Sequence, residues 1–220
     1  MSTPASDGSG PPLSTGTLCY LFGDRVAKPA GRFGGTVVPH AGVKVSQADL
    51  AALVLAVSFW GLREQGVLRL TLTVRRRFGF VVRRRIELVA TPEVTERSGY
   101  DDLILGQVAQ GRTSVYAVVR GWFRRDVNDP EGTVLAVAER EMVTHGLARE
   151  VDAERGAVGG FLLGRTRVEP DPDRIEQLWR TFEQTLAGWQ RFQRDEPELA
   201  ALLVKRCHQG IVSRRESSTS

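Results

Sequence analysis

Arg75-Arg76-Arg77-Phe78-Gly79-Phe80-Val81-Val82-Arg83-Arg84-Arg85, with the residues on either side of it, decides how this chain folds. Before it, Leu70, Leu72 and Val74 alternate with Arg69, Thr71 and Thr73, the period of a half-buried strand over residues 67–74. After it, residues 81–90 form a second strand that Pro92 stops, so the two pair as a hairpin. Six arginines therefore bracket a short apolar tip, and no acid occurs between Leu70 and Glu87. Inside a core such a run would leave charge buried and unpaired, at high cost. The arginine-rich end belongs outside.

Two readings of that end compete. In the plainer one the arginines are a solvated rim and the rings pack on the body. In the other, an anionic surface covers it. A bilayer interface suits both halves: Phe78, Phe80, Val81 and Val82 enter the acyl boundary while Arg75, Arg76, Arg77, Arg83, Arg84 and Arg85 meet lipid phosphates. Near an anionic leaflet each arginine contributes about 1 kcal/mol, and six give roughly 4 to 6 kcal/mol after crowding. Two Phe and two Val, partly buried, add about 2 to 4 kcal/mol. The sum approaches the roughly 8 kcal/mol of a micromolar complex before ordering costs.

Working outward, Ser46 is a helix N-cap with Asp49 three residues on. The helix that follows carries Leu50, Leu53, Val54, Val57 and Trp60, and Gly66 ends it. Its apolar run over residues 48–62 is shorter than the roughly 20 residues a bilayer requires, so a buried core helix is expected. Residues 17–45 alternate short apolar pieces with Gly and Pro and are expected to be irregular, with one or two short strands. Two helices are expected over 100–110 and 113–125. Asp129 and Pro130 open another that runs to His145 and stops at Gly146. A second hairpin is expected from strands at 147–151 and 158–163 with a turn at 152–156. Asp171 and Pro172 repeat the capping signal. The next helix sets Ile175, Leu178, Trp179, Phe182, Leu186, Trp189 and Phe192 on one face. Pro197 opens a last helix with Leu199, Leu202 and Leu203, expected to fold back so that the aromatic stripe packs on the body. Dimerisation through the stripe is the alternative.

The expected fold is mainly α with short β-hairpins (α+β). One globular domain spans 17–212, divided into an N-terminal part at 17–92 and a helical part at 93–212, with disordered tails at 1–16 and 213–220. The composition, 41% apolar and 25% charged, is that of a folded domain. Formal net charge is +4, which favours anionic partners mildly. Lysine occurs only at Lys28, Lys44 and Lys205, so 27 of the 30 basic residues are arginine. Such a skew is what GC-rich coding sequences tend to give, so a high-GC bacterial source is expected, and arginine's planar fork suits phosphate. Cys19 and Cys207 show no metal-ligand spacing, and the polar opening is no secretory signal. The expected location is cytoplasmic, with peripheral membrane association.

The order of these pieces resembles the Golgi phosphoprotein 3-like family. The apolar helix at 53–62, Gly66-Val67-Leu68-Arg69-Leu70, the basic hairpin, Thr91-Pro92 and Asp101-Asp102-Leu103-Ile104-Leu105 follow one another as in that family. Met142-Val143-Thr144-His145-Gly146-Leu147 and Thr166-Arg167-Val168-Glu169-Pro170 continue the series, and the likeness covers about residues 48–185. It implies a mostly helical membrane adaptor that binds phosphoinositide-type headgroups and inserts the hairpin in the bilayer. Where lipid-binding members carry headgroup arginines, this chain has Gly132 and Leu135. The family's tryptophan before the first helix has no counterpart nearer than Phe33. The hairpin carries over; the specific lipid pocket does not.

Other motifs have simpler explanations. Residues 31–35 and 159–161 are glycine clusters without the Lys-Ser/Thr of a phosphate loop. Asp126, Asn128 and Asp129 hint at a calcium loop, but its glycine and terminal Glu are misplaced, and helix capping explains them. His40, His145 and His208 are isolated, and no serine sits in a glycine elbow. No catalytic residue, metal or cofactor is expected, and the protein is read as no enzyme. The expected partner is anionic membrane lipid, with a protein client or self-association beside it. The alternative is a winged-helix DNA-binding regulator of PadR or MarR type, in which the helix ending at His145 reads DNA and residues 146–156 form the wing. That helix carries Arg140 between Glu139 and Glu141, a poor phosphate surface, so nucleic acid stands second.

Overall fold

A computed structural model of the chain describes residues 12–31, 35–77, 80–91, 97, 99–123, 128–151 and 167–217. Among them it is mainly helical with three separate two-stranded antiparallel sheets, the expected α+β class. In order come α1 (Thr15–Leu21), a 3-10 turn (Gly23–Arg25), β1 (Thr36–Val37), β2 (Lys44–Val45), α2 (Gln47–Glu64), β3 (Leu68–Arg77) and β4 (Phe80–Ala90). Then follow α3 (Gly99–Ala109), α4 (Val115–Trp122), α5 (Pro130–Thr144), β5 (Ala148–Val151), β6 (Arg167–Pro170), α6 (Pro172–Asp195) and α7 (Pro197–Ser217).

Because α2 is apolar on nearly every face, it can only be satisfied at the centre. Leu50, Val54, Leu55, Phe59 and Leu62 are fully buried there, and α1, α3, α5 and α7 all pack on it. Ser46 caps α2 by accepting the Asp49 N–H at 3.3 Å. At the other end Gly66 takes φ +73°, while the Val67 N–H reaches back to the Leu62 carbonyl at 3.0 Å.

The N-terminal region departs from expectation. Residues 14–16, assigned to the tail, belong to a capped helix: Ser14 is buried and accepts from the Thr17 N–H, and α1 occupies the stretch expected to be irregular. Local propensity is poor in Thr-Gly-Thr-Leu-Cys-Tyr-Leu, and tertiary contacts override it. Gly16 and Gly61 let α1 and α2 touch, because a Cβ at either would strike Ser58 or Thr15. The Glu141 carboxylate of α5 holds the start of α1, accepting from Ser14 N (2.7 Å), Ser14 Oγ (2.6 Å) and Thr17 Oγ1 (2.6 Å). At the other end α7 runs on to Ser217, past the expected start of the second tail.

The partner of β5 is also corrected. It pairs with Arg167–Pro170, Ala148 facing Pro170 and Val151 facing Arg167, whereas the expected strand at 158–163 lies outside the described residues. The aromatic stripe of α6 packs within the chain. Phe182 stacks on Phe22 at 4.5 Å between centroids, and Trp189 meets Trp60 edge-on at 5.9 Å. Gly188 lies where a side chain would collide with the Trp60 ring. Leu199, Leu203, Cys207 and Ile211 of α7 are buried, against α2 and α4.

Candidate functional site

Along the β3–β4 hairpin, burial runs out in step on both strands. Leu68 and Leu70 on β3 are buried, Leu72 is half-buried, and Val74 is 40% exposed. On β4, Leu88 and Ile86 are buried and Arg84 is exposed. Pairing nevertheless continues outward from Leu72↔Ile86 through Val74↔Arg84 and Arg75↔Arg83 to Arg77↔Phe80. From Ile86 to Phe80 that is roughly 20 Å of strand at about 3.3 Å per residue. The register shifts between Arg75 and Arg76, so Val82 is the extra residue of a bulge. The pairing sets Arg75 directly opposite Arg83, an arrangement in which like charges disfavour the ladder.

The expected site residues are thus placed on one hairpin, in different degrees. Arg75, Arg76 and Arg77 lie on β3, and Phe80, Val81, Val82 and Arg83 on β4, by backbone and register alone. Phe78 of the expected tip falls outside the described residues, as do the side chains at 75–77 and 80–83. Arg84 and Arg85 are described in full, and both are tied to the helical body. Arg84 Nη1 pairs with Glu198 Oε1 at 2.8 Å, and Arg85 Nη2 donates to Thr113 Oγ1 at 2.8 Å.

Other ties fix the root of the hairpin. The Leu88 N–H bonds the Thr113 carbonyl at 3.1 Å, and Glu87 bridges Ser114. Arg206 of α7 donates from Nη2 to the Arg84 carbonyl at 2.7 Å. Sequence reasoning missed Arg206 altogether. It stands 122 positions from Arg84 on a different element, and no spacing signal links the two.

A cavity of about 750 Å3 lies over α5 and contains the places where the family resemblance puts headgroup arginines. Gly132 and Leu135 line it, with Gln47, Asp129, Glu139 and Arg140. Asp129 caps α5 through the Gly132 N–H (2.8 Å) and accepts from Gln47, while Glu139 accepts from the Tyr20 hydroxyl at 2.8 Å. Two carboxylates against one arginine is the wrong balance for a phosphate headgroup. On α3, Asp101 is buried, its carboxyl pushed up to about 7 by desolvation and the nearby Glu141 charge, against the pull of Arg97. Both thiols are buried, and burial pushes Cys19 up to about 12 and Cys207 higher still, which leaves neither a ready nucleophile.

Among the described residues no helix is long and apolar enough to cross a membrane. No protein-family model, curated protein or solved structure matches this chain.

Proposed function

We propose that the chain is a peripheral membrane-binding adaptor, a distant relative of the Golgi phosphoprotein 3-like family, that attaches to anionic lipid through the β3–β4 hairpin. The observation that carries the reading is the mismatch between pairing and burial: the strands stay paired well past Ile86, the last buried rung among the described side chains, and Val74 and Arg84 beyond it are exposed. A paired ribbon rich in arginine and ending in Phe and Val has no use for the core it leaves. At an anionic interface its arginines gain about 1 kcal/mol each, and its rings gain apolar surroundings. The order of α2, hairpin, acidic α3 and glycine-stopped α5 agrees with the family resemblance. The cavity over Gly132 and Leu135 argues for general anionic attachment without a family-type phosphoinositide pocket. Nucleic acid is the second partner, and a dimerising α6 would favour it; the stripe of α6 is instead used inside the chain.

Sedimentation with anionic and neutral vesicles, beside a gel shift with random duplex DNA, tests the proposal. The protein pellets with anionic vesicles, less so as salt shortens the Debye length from about 10 Å. Phe78→Ser with Phe80→Ser weakens vesicle binding by about tenfold or more while the thermal midpoint stays put. A DNA shift at physiological salt, with no vesicle binding, would replace the membrane reading by the regulator.

A further inference from the structure

At the root of the hairpin, the open edge of β4 faces a cavity of about 400 Å3. Arg84 and Arg85 of β4, Arg206 of α7, and Ser114 to Tyr116 at the start of α4 line it. Three arginines thus line one space, and Glu198 pairs with Arg84 alone among them. Arg85 uses Nη2 on Thr113, and its Nε is buried without a hydrogen-bond partner. Arg206 uses Nη1 on Gln209 Oε1 and Nη2 on the Arg84 carbonyl, both neutral acceptors. Among the described residues neither Arg85 nor Arg206 has an acidic partner. Both are half-buried, and two like charges lining one cleft draw an anion to the space between them.

The backbone adds donors of the same sign. Ser114 caps α4 by accepting the Ala117 N–H, and the Val118 N–H goes to the Ser114 carbonyl. The Tyr116 N–H, at the second helical position, has no intrahelical acceptor, and the positive end of the α4 dipole opens here. On β4 the Ile86 N–H is in phase with the Leu88 N–H that bonds Thr113, so it faces the same open edge. The charge excess, two arginines beyond the Arg84–Glu198 pair, matches a dianion better than a carboxylate. The volume lies within the range of small-molecule sites and exceeds what a bare ion fills.

We propose that this cavity binds a phosphate monoester or pyrophosphate group, with Arg85, Arg206 and the start of α4 as its donors. Two sources offer that chemistry, a phosphomonoester lipid headgroup and a free phosphorylated small molecule. The site shares Arg84 and Arg85 with the membrane reading but does not depend on it. Occupancy would also brace the hairpin, since Arg206 already holds the backbone of its root.

Titration calorimetry of the full chain with inorganic pyrophosphate, at fixed ionic strength and with sulfate as control, tests the site. Pyrophosphate binds saturably and more tightly than sulfate, and Arg85→Gln and Arg206→Gln each weaken it by about tenfold or more. Arg85→Gln is the cleaner variant, because its one described bond is to exposed Thr113. Phe78→Ser with Phe80→Ser leaves pyrophosphate binding unchanged, whatever it does to vesicle binding, so the two proposals fail separately. If pyrophosphate displaces the protein from phosphatidic acid vesicles, and these bind better than phosphatidylserine vesicles of equal charge, the source is lipid. Pyrophosphate binding without that competition assigns the cavity to a free phosphorylated molecule. Heat no greater than that of sulfate, or binding indifferent to Arg85→Gln, overturns the proposal.

Discussion

Two helix–glycine–hairpin units occur in the chain, and they begin alike. At the end of α2, Gly66 takes φ +73° and the Val67 N–H bonds the Leu62 carbonyl at 3.0 Å. At the end of α5, Gly146 takes φ +64° and the Leu147 N–H bonds the Met142 carbonyl at 2.8 Å. Beyond that shared stop they diverge. The first helix is apolar all round and lies at the centre of the body; the second carries Glu139, Arg140 and Glu141 and lies where α1 needs a carboxylate. The first hairpin stays paired far past the last of its described buried rungs, while the described pairing of the second covers Ala148 to Val151 against Arg167 to Pro170. Local chemistry decides where a helix stops. What the strands then do depends on how far core-facing residues continue, and on what the remainder meets outside.

Core truncation should divide the two hairpins most sharply. Ile86→Ala, fully buried on β4, should cost about 3 kcal/mol, and Val168→Ala, half-buried on β6, about 1 kcal/mol. Val89→Ala, 59% exposed on the other face of β4, should cost less than about 0.5 kcal/mol. Urea unfolding gives all three values, and equal losses at Ile86 and Val89 would abolish the claim that one face of the hairpin is core.

Next comes Asp101 of α3, whose carboxyl feels the Glu141 charge on the second unit's helix. Asp101 holds its proton up to about pH 7 in the folded chain, against 3.8 for a free aspartate. Between those values the native state binds more protons than the unfolded state, so this group makes stability fall as pH rises from about 4 to 7, then level off. Asp101→Asn should therefore be more stable than the parent at pH 8 by on the order of 2–4 kcal/mol, with the difference vanishing near pH 4. A gap that widens toward acid would reverse the assigned cause.

The two glycine stops should differ modestly. Gly66→Ala should cost about 1 kcal/mol for its left-handed backbone alone. Gly146→Ala should cost somewhat more, because a Cβ there meets Arg174 Nη1, which donates to the Gly146 carbonyl at 3.0 Å. Identical shifts in thermal midpoint would remove Arg174 from the account. Smallest of all, a double-mutant cycle on the cross-strand pair Arg149–Glu169 should show about 0.5 kcal/mol or less, fading with salt.

Much of this was legible beforehand, for reasons that particular residues make plain. Ser46, Asp129 and Asp171 cap the helices their side chains announce, because an N-cap bond closes within three residues. Alternation through Leu70, Leu72 and Val74 specified a strand, and the arginines of 75–85 required an exposed one, since both follow from period and charge alone. Tertiary structure decided what no local signal could carry. Helix α1 exists because Gly16 and Gly61 permit close contact and Glu141, 127 residues from Ser14, receives its first turn. Likewise the α6 stripe could have met a second copy until Phe22 and Trp60 were found against it. Arg206 entered the candidate site by the same route, brought to the hairpin root by the packing of α7 on α4 and α2. Caps, periods and charge runs act over a few residues of chain, whereas a shared carboxylate or a ring of arginines depends on distances that only packing sets.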